Sequence, residues 1–314
     1  YEKYFYGTEH WNYFTNDDDL GPVILSIKQE TLNSRDQFRI LVRAISYTVH
    51  GLIPASCVFA DRNSKKFSVR ILIEHLLEKY SYLYLKLGQL PDTQDELLKL
   101  DQVFIKSELK VGVLYVQENQ CTEEEILDNH ENSPLFDEFL QILGDKIRLK
   151  GFDKYKGGLD TIHDLTGLYS VYTNWRGIEI MYHVSTFLPN EKHDVQRVQK
   201  KRHIGNDIVC VVFLEADKTS FNPACMKSHF LYTFILVRVS PRIKRKVTRY
   251  EVSVATRDEV GAYKPYLWEQ NGPMFREWLL TKIVNGERAS YSAPKFAKMQ
   301  ERTRTQMLED IVAN

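Results

Sequence analysis

Residues 208–214 read IVCVVFL and are apolar at every position. A strand with one face in water alternates apolar and polar side chains. A run without alternation therefore belongs inside a sheet covered on both faces, as in an α/β layer. Directly before it stands QKKRHIGND, residues 199–207, with three cations, a histidine, two carboxamides and a carboxylate. The chain has to carry concentrated charge right up to its most buried-looking strand.

At 314 residues the chain is long for one core and comfortable for two. Its 43% hydrophobic and 27% charged content is that of a soluble globular protein. Lysine plus arginine number 42 and aspartate plus glutamate 42, a formal net charge of zero. That balance argues against a global polyanion binder, so any basic recognition surface has to be local. Cys57, Cys121, Cys210 and Cys225 show neither a CxxC pair nor metal-ligand spacing. They point to a reducing compartment, hence a cytoplasmic location. No stretch reaches the roughly eighteen apolar residues of a membrane span, and no secretory signal is present. The chain starts at Tyr1 and not at Met, as expected of a domain cut from a longer protein.

The first twenty residues, aromatic and acidic, read as an irregular arm. Val23, Leu25 and Ile27 alternate as in a half-buried strand, and residues 37–49 read as a second, longer strand. Val69, Leu72, Ile73, Leu76 and Tyr80 fall at helical spacing, residues 82–87 return to strand character, and a helix follows over 92–102. From residue 108 the pattern changes. Residues 110–116 read as a strand. Ser133 caps a helix with Pro134 at its first position, Phe136, Phe139, Leu140 and Leu143 on one face, and Gly144 at its end. A short strand over 146–150 precedes a hairpin whose turn is Asn174-Trp175-Arg176-Gly177. Strands follow at 208–214, 230–240 and 246–256. Phe275, Trp278, Leu279 and Ile283 mark a helix closed by Gly286, and a last helix covers 294–312. This alternation predicts an α/β sandwich around a mixed sheet, after an N-terminal α+β portion.

The sequence holds no GxxxxGK[ST], no GxGxxG after a strand, no GxSxG and no HExxH. His163 and Asp164 read as an ordinary loop pair. The expectation is a protein with no nucleotide cofactor, catalytic metal or covalent nucleophile of its own. Residues 191–205 read as a charged helix ended by Gly205. Extended to 206, it puts Asn206 on a face with Gln199, Arg202 and His203, while Lys201 points partly away. Its terminal cations suit the negative end of the helix dipole. Asn206 falls in the last turn or just beyond, above the carboxyl-side rim of the sheet. By pattern alone, such a basic face is usually solvated, and Asn-Asp before a strand is usually turn chemistry. Short basic runs also imitate nucleic-acid patches.

KRHIGNDIV, residues 201–209, closely resembles the signature of the Rap GTPase-activating proteins. The segments 110–127, 133–152, GGLD at 157–160, TGLYSVYT at 166–173 and EIMYHVSTFLP at 179–189 look like that family in the same order. FREWLLTKIVN (275–285) and FAKMQERTR (296–304) resemble its C-terminal helices. YFYGTEHWNYF, LGPVILSIKQE and ISYTVHGLIPASC resemble its N-terminal part, so the resemblance covers nearly the whole chain.

The resemblance implies a function in trans. Such proteins switch off Rap, a small Ras-like GTPase, by speeding hydrolysis of its bound GTP. Ras-type proteins align the attacking water with a glutamine that Rap lacks, and the activator supplies an asparagine instead; here the matching residue is Asn206. Lys110, Lys201 and His203 match basic positions of the family. Gln199 and Arg202 are expected to contact the switch loops, with Arg202 assigned to binding because the family needs no arginine finger. The protonation of His203 stays open. The resemblance also implies two domains. Residues 1–108 form an α+β domain associated with homodimers. Residues 109–314 form a catalytic α/β sandwich like a GTPase without its nucleotide loop. Expected partners are a GTP-bound Rap-type GTPase and a second copy of the chain, with no nucleic acid and no membrane span. Recruitment to the membrane where the GTPase resides is also expected. Three alternatives remain at this point: a non-catalytic GTPase-binding scaffold, an activator of the related Rheb or Ral, and a nucleic-acid binder using the basic run.

Overall fold

A computed structural model describes residues 1–18, 20–58 (backbone only at 57 and 58), 86–88, 91–190, 193–240, 248–266 and 275–313. The chain divides into two compact units, one of Tyr1–Ile105 with Ala297–Asn314 and one of Lys106–Phe296. The sequence reading keeps the chain's end with the second portion. In the structure Leu308 and Ile311 instead share a buried cluster with Phe14, Ile24, Leu97 and Leu100 of the first unit.

The first unit is an antiparallel sheet of β1 (Trp11–Asp17), β2 (Gly21–Leu32), β3 (Arg35–Arg43), β4 (Thr48–Pro54) and β5 (Lys86–Gly88), in the order β4-β3-β2-β1-β5. α1 (Ala55–Val58) and α2 (Thr93–Gln102) belong to it. β1 occupies residues read as an irregular arm. The periodicity was hidden because polar side chains take buried positions: Asn12 lies under the sheet and accepts the Ser26 hydroxyl at 2.7 Å. β2 is covered on both faces. Val23, Leu25 and Ile27 pack with Phe38, Ile40 and Val42, while Ile24 points into the cluster of Phe14. The single strand expected over 37–49 is two, because the chain turns at 44–47 and pairs Arg43 with Thr48. Arg43 is fully buried, and Asp101 accepts from its Nε and a terminal nitrogen at 2.8 and 3.0 Å. The helix expected over 69–80 and the strand residues 82–85 lie outside the described residues.

The second unit is built on a seven-stranded mixed sheet. Its strands are β6 (Glu108–Val116), β7 (Asp145–Arg148), β8 (Tyr169–Trp175), β9 (Ile178–Val184), β10 (Val209–Leu214), β11 (Thr233–Val239) and β12 (Tyr250–Thr256), in the order β12-β11-β10-β6-β9-β8-β7. β10 runs parallel to both β11 and β6, and β6 parallel to β9, while the outer pairs are antiparallel. Every residue of β10 is buried, and successive side chains enter opposite layers. Val209, Val211 and Phe213 pack under α4 (Pro134–Leu143) and α6 (Phe275–Ser290). Cys210, Val212 and Leu214 pack with Ile126 and Leu127 of α3 (Glu123–Asp128) and Ile204 of α5 (Val198–Ile204). The unit is thus a two-sided α/β sandwich. Burying one such aliphatic side chain is worth about 1.5–3 kcal/mol, so this strand is a firm anchor for what precedes it. α7 (Pro294–Ala313) is the last helix among the described residues. No helix among the described residues is long and apolar enough to cross a membrane.

Ser133 caps α4 as its sequence predicts, its side chain accepting from the Phe136 amide at 3.3 Å. The hairpin turn is tighter than expected. Trp175 still pairs with Ile178, leaving Arg176 and Gly177 at φ +52° and +80°, a two-residue turn whose twist matches the strands. Gly286 does not close α6 but lies within it, where a Cβ would meet the Tyr263 hydroxyl at 2.8 Å. Gly144 ends α4 for a reason of packing: a Cβ there would sit 2.4 Å from the Tyr172 carbonyl oxygen. Gly144→Ala forces backbone apart and is expected to lower stability by about 1–3 kcal/mol, read from denaturant midpoints.

Candidate functional site

The helix that leads to β10 is shorter than its sequence predicts. Arg197 adopts a left-handed conformation at φ +53°, and among the described residues of this segment only Val198–Ile204 is helical. Asp194 starts it, its carboxylate accepting the amides of Val198 and Gln199 at 2.8 and 2.9 Å. These bonds hold the Asp194 carboxyl below its usual range. Two lysines dock the helix. Lys200 is buried, donates to the Asn129 carbonyl at 3.0 Å, and is pushed down to about 8 by that burial. Lys201 turns to the buried Glu123 at the first position of α3 and forms an ion pair with it. Gln199 and Arg202 are exposed, and His203 is half-buried.

Gly205 ends α5 in right-handed geometry, φ −67°, without the left-handed twist usual for a terminal glycine. A Cβ on it would lie 2.5 Å from the Lys201 carbonyl oxygen, so only glycine permits so tight an exit. The Asn206 amide hydrogen then goes to the His203 carbonyl at 3.1 Å. Its side chain is exposed, and Nδ2 donates to the Arg202 carbonyl at 2.6 Å. That bond uses the amide's donor end, while Oδ1 accepts no hydrogen bond from any described residue. Because β10 begins after this turn, Asn206 lies at the amino end of the strand and not on the carboxyl-side rim.

One residue later the chain is fully buried. Asp207 has no solvent exposure, and its Oδ2 lies 2.8 Å from His183 Nδ1 on β9. His183 Nε2 donates to the Gly157 carbonyl at 2.8 Å. Between them runs β6, where Gly112 is in register with both His183 and Cys210. A Cβ at 112 would stand 3.3 Å from Asp207 Oδ2 and 3.1 Å from Ile204, so the missing side chain opens the path by which the carboxylate crosses to the histidine.

The electrostatics are asymmetric. Burial opposes a charge on His183, but the Asp207 carboxylate and the Gly157 carbonyl outweigh it and raise its pKa. The His203 ring packs edge-on against His183 at 5.3 Å. Burial first, then His183, Arg202 and Lys110, push His203 down to about 4, so it is neutral at pH 7. Neither the Lys110 ammonium nor the Arg202 guanidinium has a hydrogen bond or ion pair with any other described residue. Lys201, by contrast, is paired with Glu123.

The model of the family described as Rap/ran-GAP matches residues 126–305, which include this whole helix, turn and strand. The chain belongs to the Rap/ran-GAP family. A second model, the Rap/Ran-GAP protein dimerization domain, matches residues 1–83 of this Rap/ran-GAP chain. Signal-induced proliferation-associated protein 1 of Homo sapiens is 40% identical over 329 residues, covering 100% of this chain and 31% of that protein. Signal-induced proliferation-associated 1-like protein 1 of Mus musculus is 36% identical over 326 residues, covering 99% of this chain and 18% of that protein. The chain therefore spans under a third of the curated relatives it matches. Among solved structures, the TSC2 GAP domain superposes with a TM-score of 0.51 at 33% identity, over 58% of this chain and 96% of that one.

Sequence reasoning assembled Gln199, Arg202, His203 and Asn206 on one short segment and added Lys110 from β6. It missed the groups that hold the segment: Glu123, His183, Lys200 and Asp207. A histidine inside the apolar run EIMYHVS was the available signal, since a buried ring nitrogen demands a partner.

The low pKa of His203 has a signed consequence. The unfolded histidine takes a proton near pH 6.5 while the folded one does not until about 4, so stability from this group is full above 6.5 and lost as pH falls toward 4. Glu287, which burial pushes up to about 7, has the opposite sign, its stabilising effect being lost as pH rises. His203→Gln should therefore lose less stability than the wild type between pH 7 and pH 5, measured by urea denaturation at both.

Proposed function

We propose that this chain is a GTPase-activating protein for a Rap-type small GTPase and that it acts by lending Asn206 to the partner's hydrolytic site. The observation that carries the reading is the exposed Asn206 amide, held at Nδ2 by the Arg202 carbonyl and open at Oδ1. Phosphoryl transfer from GTP needs an aligned water and stabilised charge more than covalent chemistry. A carboxamide is no base at neutral pH, but its oxygen can accept a hydrogen bond from the attacking water and orient it. Its contribution is positional, so it has to be presented stiffly. The burial of Asp207 and of all of β10 supplies that stiffness from behind.

The surrounding groups have matching roles in this reading. Lys110, Gln199 and Arg202 meet the phosphates and acidic switch loops, with Arg202 contributing to binding. Lys201 adds to the same field while its ion pair with Glu123 keeps it on the helix flank. His203 contributes as a neutral ring, which avoids a further charge next to Lys110 and Arg202. Known activators of Ras-like GTPases give about 10⁵-fold, or roughly 7 kcal/mol, so one asparagine is not the whole effect and ordering of the switch loops carries the rest. Residues 1–108 are proposed as the dimerisation-like domain of a homodimer, a reading supported by the dimerization-domain match. Residues 109–314 are proposed as the catalytic portion. The protein is proposed to work in the cytoplasm, recruited to the membrane that carries its GTPase.

Single-turnover hydrolysis by GTP-loaded Rap, measured with and without the chain, tests the centre of this reading. Asn206→Ala should lower the stimulated rate constant on the order of 10²-fold or more and leave the half-saturating concentration within about threefold. Stimulation by that variant at the wild-type rate would end the proposal. Running Rheb and Ral in the same assay identifies the substrate, and binding without acceleration of any of them would identify a scaffold.

The electrostatic part has its own test. Arg202→Ala should weaken association chiefly, with a smaller effect on the saturated rate. Raising salt should weaken wild-type association toward that of the variant, because the attraction between exposed charges is screened over about 8–10 Å. Association insensitive to salt would remove the cations from the recognition surface.

A further inference from the structure

The carbonyls that end α5 are all satisfied, but by different means. The Lys201, His203 and Ile204 carbonyls accept the amides of Gly205, Asn206 and Asp207 at 2.8, 3.1 and 3.1 Å. The Arg202 carbonyl is taken by the Asn206 side chain. The Gly205 carbonyl, one peptide before Asn206, accepts from the Ser228 hydroxyl at 2.6 Å. Ser228 comes from a distant segment, between a 3₁₀ turn at Pro223–Cys225 and β11.

A serine hydroxyl has one proton to give and two lone pairs to offer. Here the lone pairs are occupied by the Phe230 and Leu231 amides at 3.0 and 3.2 Å. With both acceptor sites filled, the proton has one direction left, toward the Gly205 oxygen. Arg257 holds the segment in turn. Its Nε donates to the Leu231 carbonyl at 2.8 Å, a terminal nitrogen donates to the Ser228 carbonyl, and its guanidinium lies 4.5 Å from the centre of the Tyr232 ring. The Tyr232 and Thr233 amides close the loop onto the Ile208 carbonyl at 3.0 and 3.1 Å, at the foot of β10.

We infer that Ser228, clamped by Arg257, is a positioning residue for Asn206, fixing the Gly205–Asn206 peptide and thereby the direction of the inserted amide. The inference rests on the reading of Asn206 proposed above. A glycine at 205 leaves this peptide with little steric restraint of its own. While Asn206 engages a GTPase through Oδ1, with Nδ2 kept on the Arg202 carbonyl, the turn keeps its backbone bonds and the one from Ser228. The side-chain bond then sets the plane of the peptide from which Asn206 departs. A shift of about 1 Å in a positional group costs on the order of 10²-fold in rate, so the loss of this bond is felt in catalysis more than in binding.

The test uses single-turnover hydrolysis by GTP-loaded Rap with the full 314-residue chain. Ser228→Ala should lower the saturated rate about 10- to 100-fold with the half-saturating concentration within about twofold, and Ser228→Thr, which keeps the hydroxyl, should recover most of the rate. Arg257→Lys, which keeps the charge but loses the fork, should show the same split more weakly; should Ser228→Ala not fold by circular dichroism, Arg257→Lys carries the test. Wild-type rate in Ser228→Ala overturns the inference, as does equal loss in the alanine and threonine variants or a change confined to half-saturation. Asn206→Ala runs alongside. If it is slow while Ser228→Ala is fast, the positioning role alone fails; if Asn206→Ala is itself fast, the functional reading fails and the inference with it.

Discussion

The contact between Asp207 and His183 is the one on which the site depends. A carboxylate with no solvent exposure is costly unless it is paired and hydrogen-bonded. Its partner lies on β9, with β6 between them, and Gly112 keeps that path clear. Because Asp207 follows Asn206 directly, the pair pins the chain at the point where it passes from solvent to core. Asn206 is exposed, its neighbour is enclosed, and only one residue's backbone freedom separates them. The Gly157 carbonyl holds the far side of the histidine, so the ring cannot turn to release the carboxylate.

Around that pin the charges are sorted by environment more than by residue type. Four basic side chains in a row, Lys200 to His203, meet four fates. Lys200 is buried against a carbonyl, Lys201 is paired with Glu123, Arg202 is exposed, and His203 is neutral beside His183. A basic cluster in sequence thus becomes one free cation on the helix, joined by Lys110 from β6. This arrangement limits self-repulsion along the helix, and it uses two of the lysines to hold the helix still.

Much of the fold was legible beforehand. The unbroken apolar run of β10 announced a central strand, and Ser133-Pro134 with the spacing of Phe136, Phe139, Leu140 and Leu143 announced α4. These signals work because they are local: a cap, a period or a β-propensity acts within a few residues. The errors fell where side-chain bonds, packing or an unusual backbone conformation override such signals. β1 was hidden because Asn12 is buried through a bond to Ser26, and Gly286 was misread because Tyr263 packs against the helix at that point. The helix before Asn206 was drawn too long because the left-handed Arg197 and the cap from Asp194 begin it only at Val198.

The same division runs through the site. Residue types along 199–206 gave by themselves only a basic helical face before a turn, and the family resemblance was what singled out Asn206 and its neighbouring cations as a candidate site. Which of them face solvent, which carry charge at neutral pH and what holds the amide in place depended on Glu123, Asn129, Gly157, His183 and Ser228. Those groups arrive from α3, the loops and β9. Their contributions come from burial and hydrogen-bond geometry, and neither exists until the sheet has closed and water has been excluded.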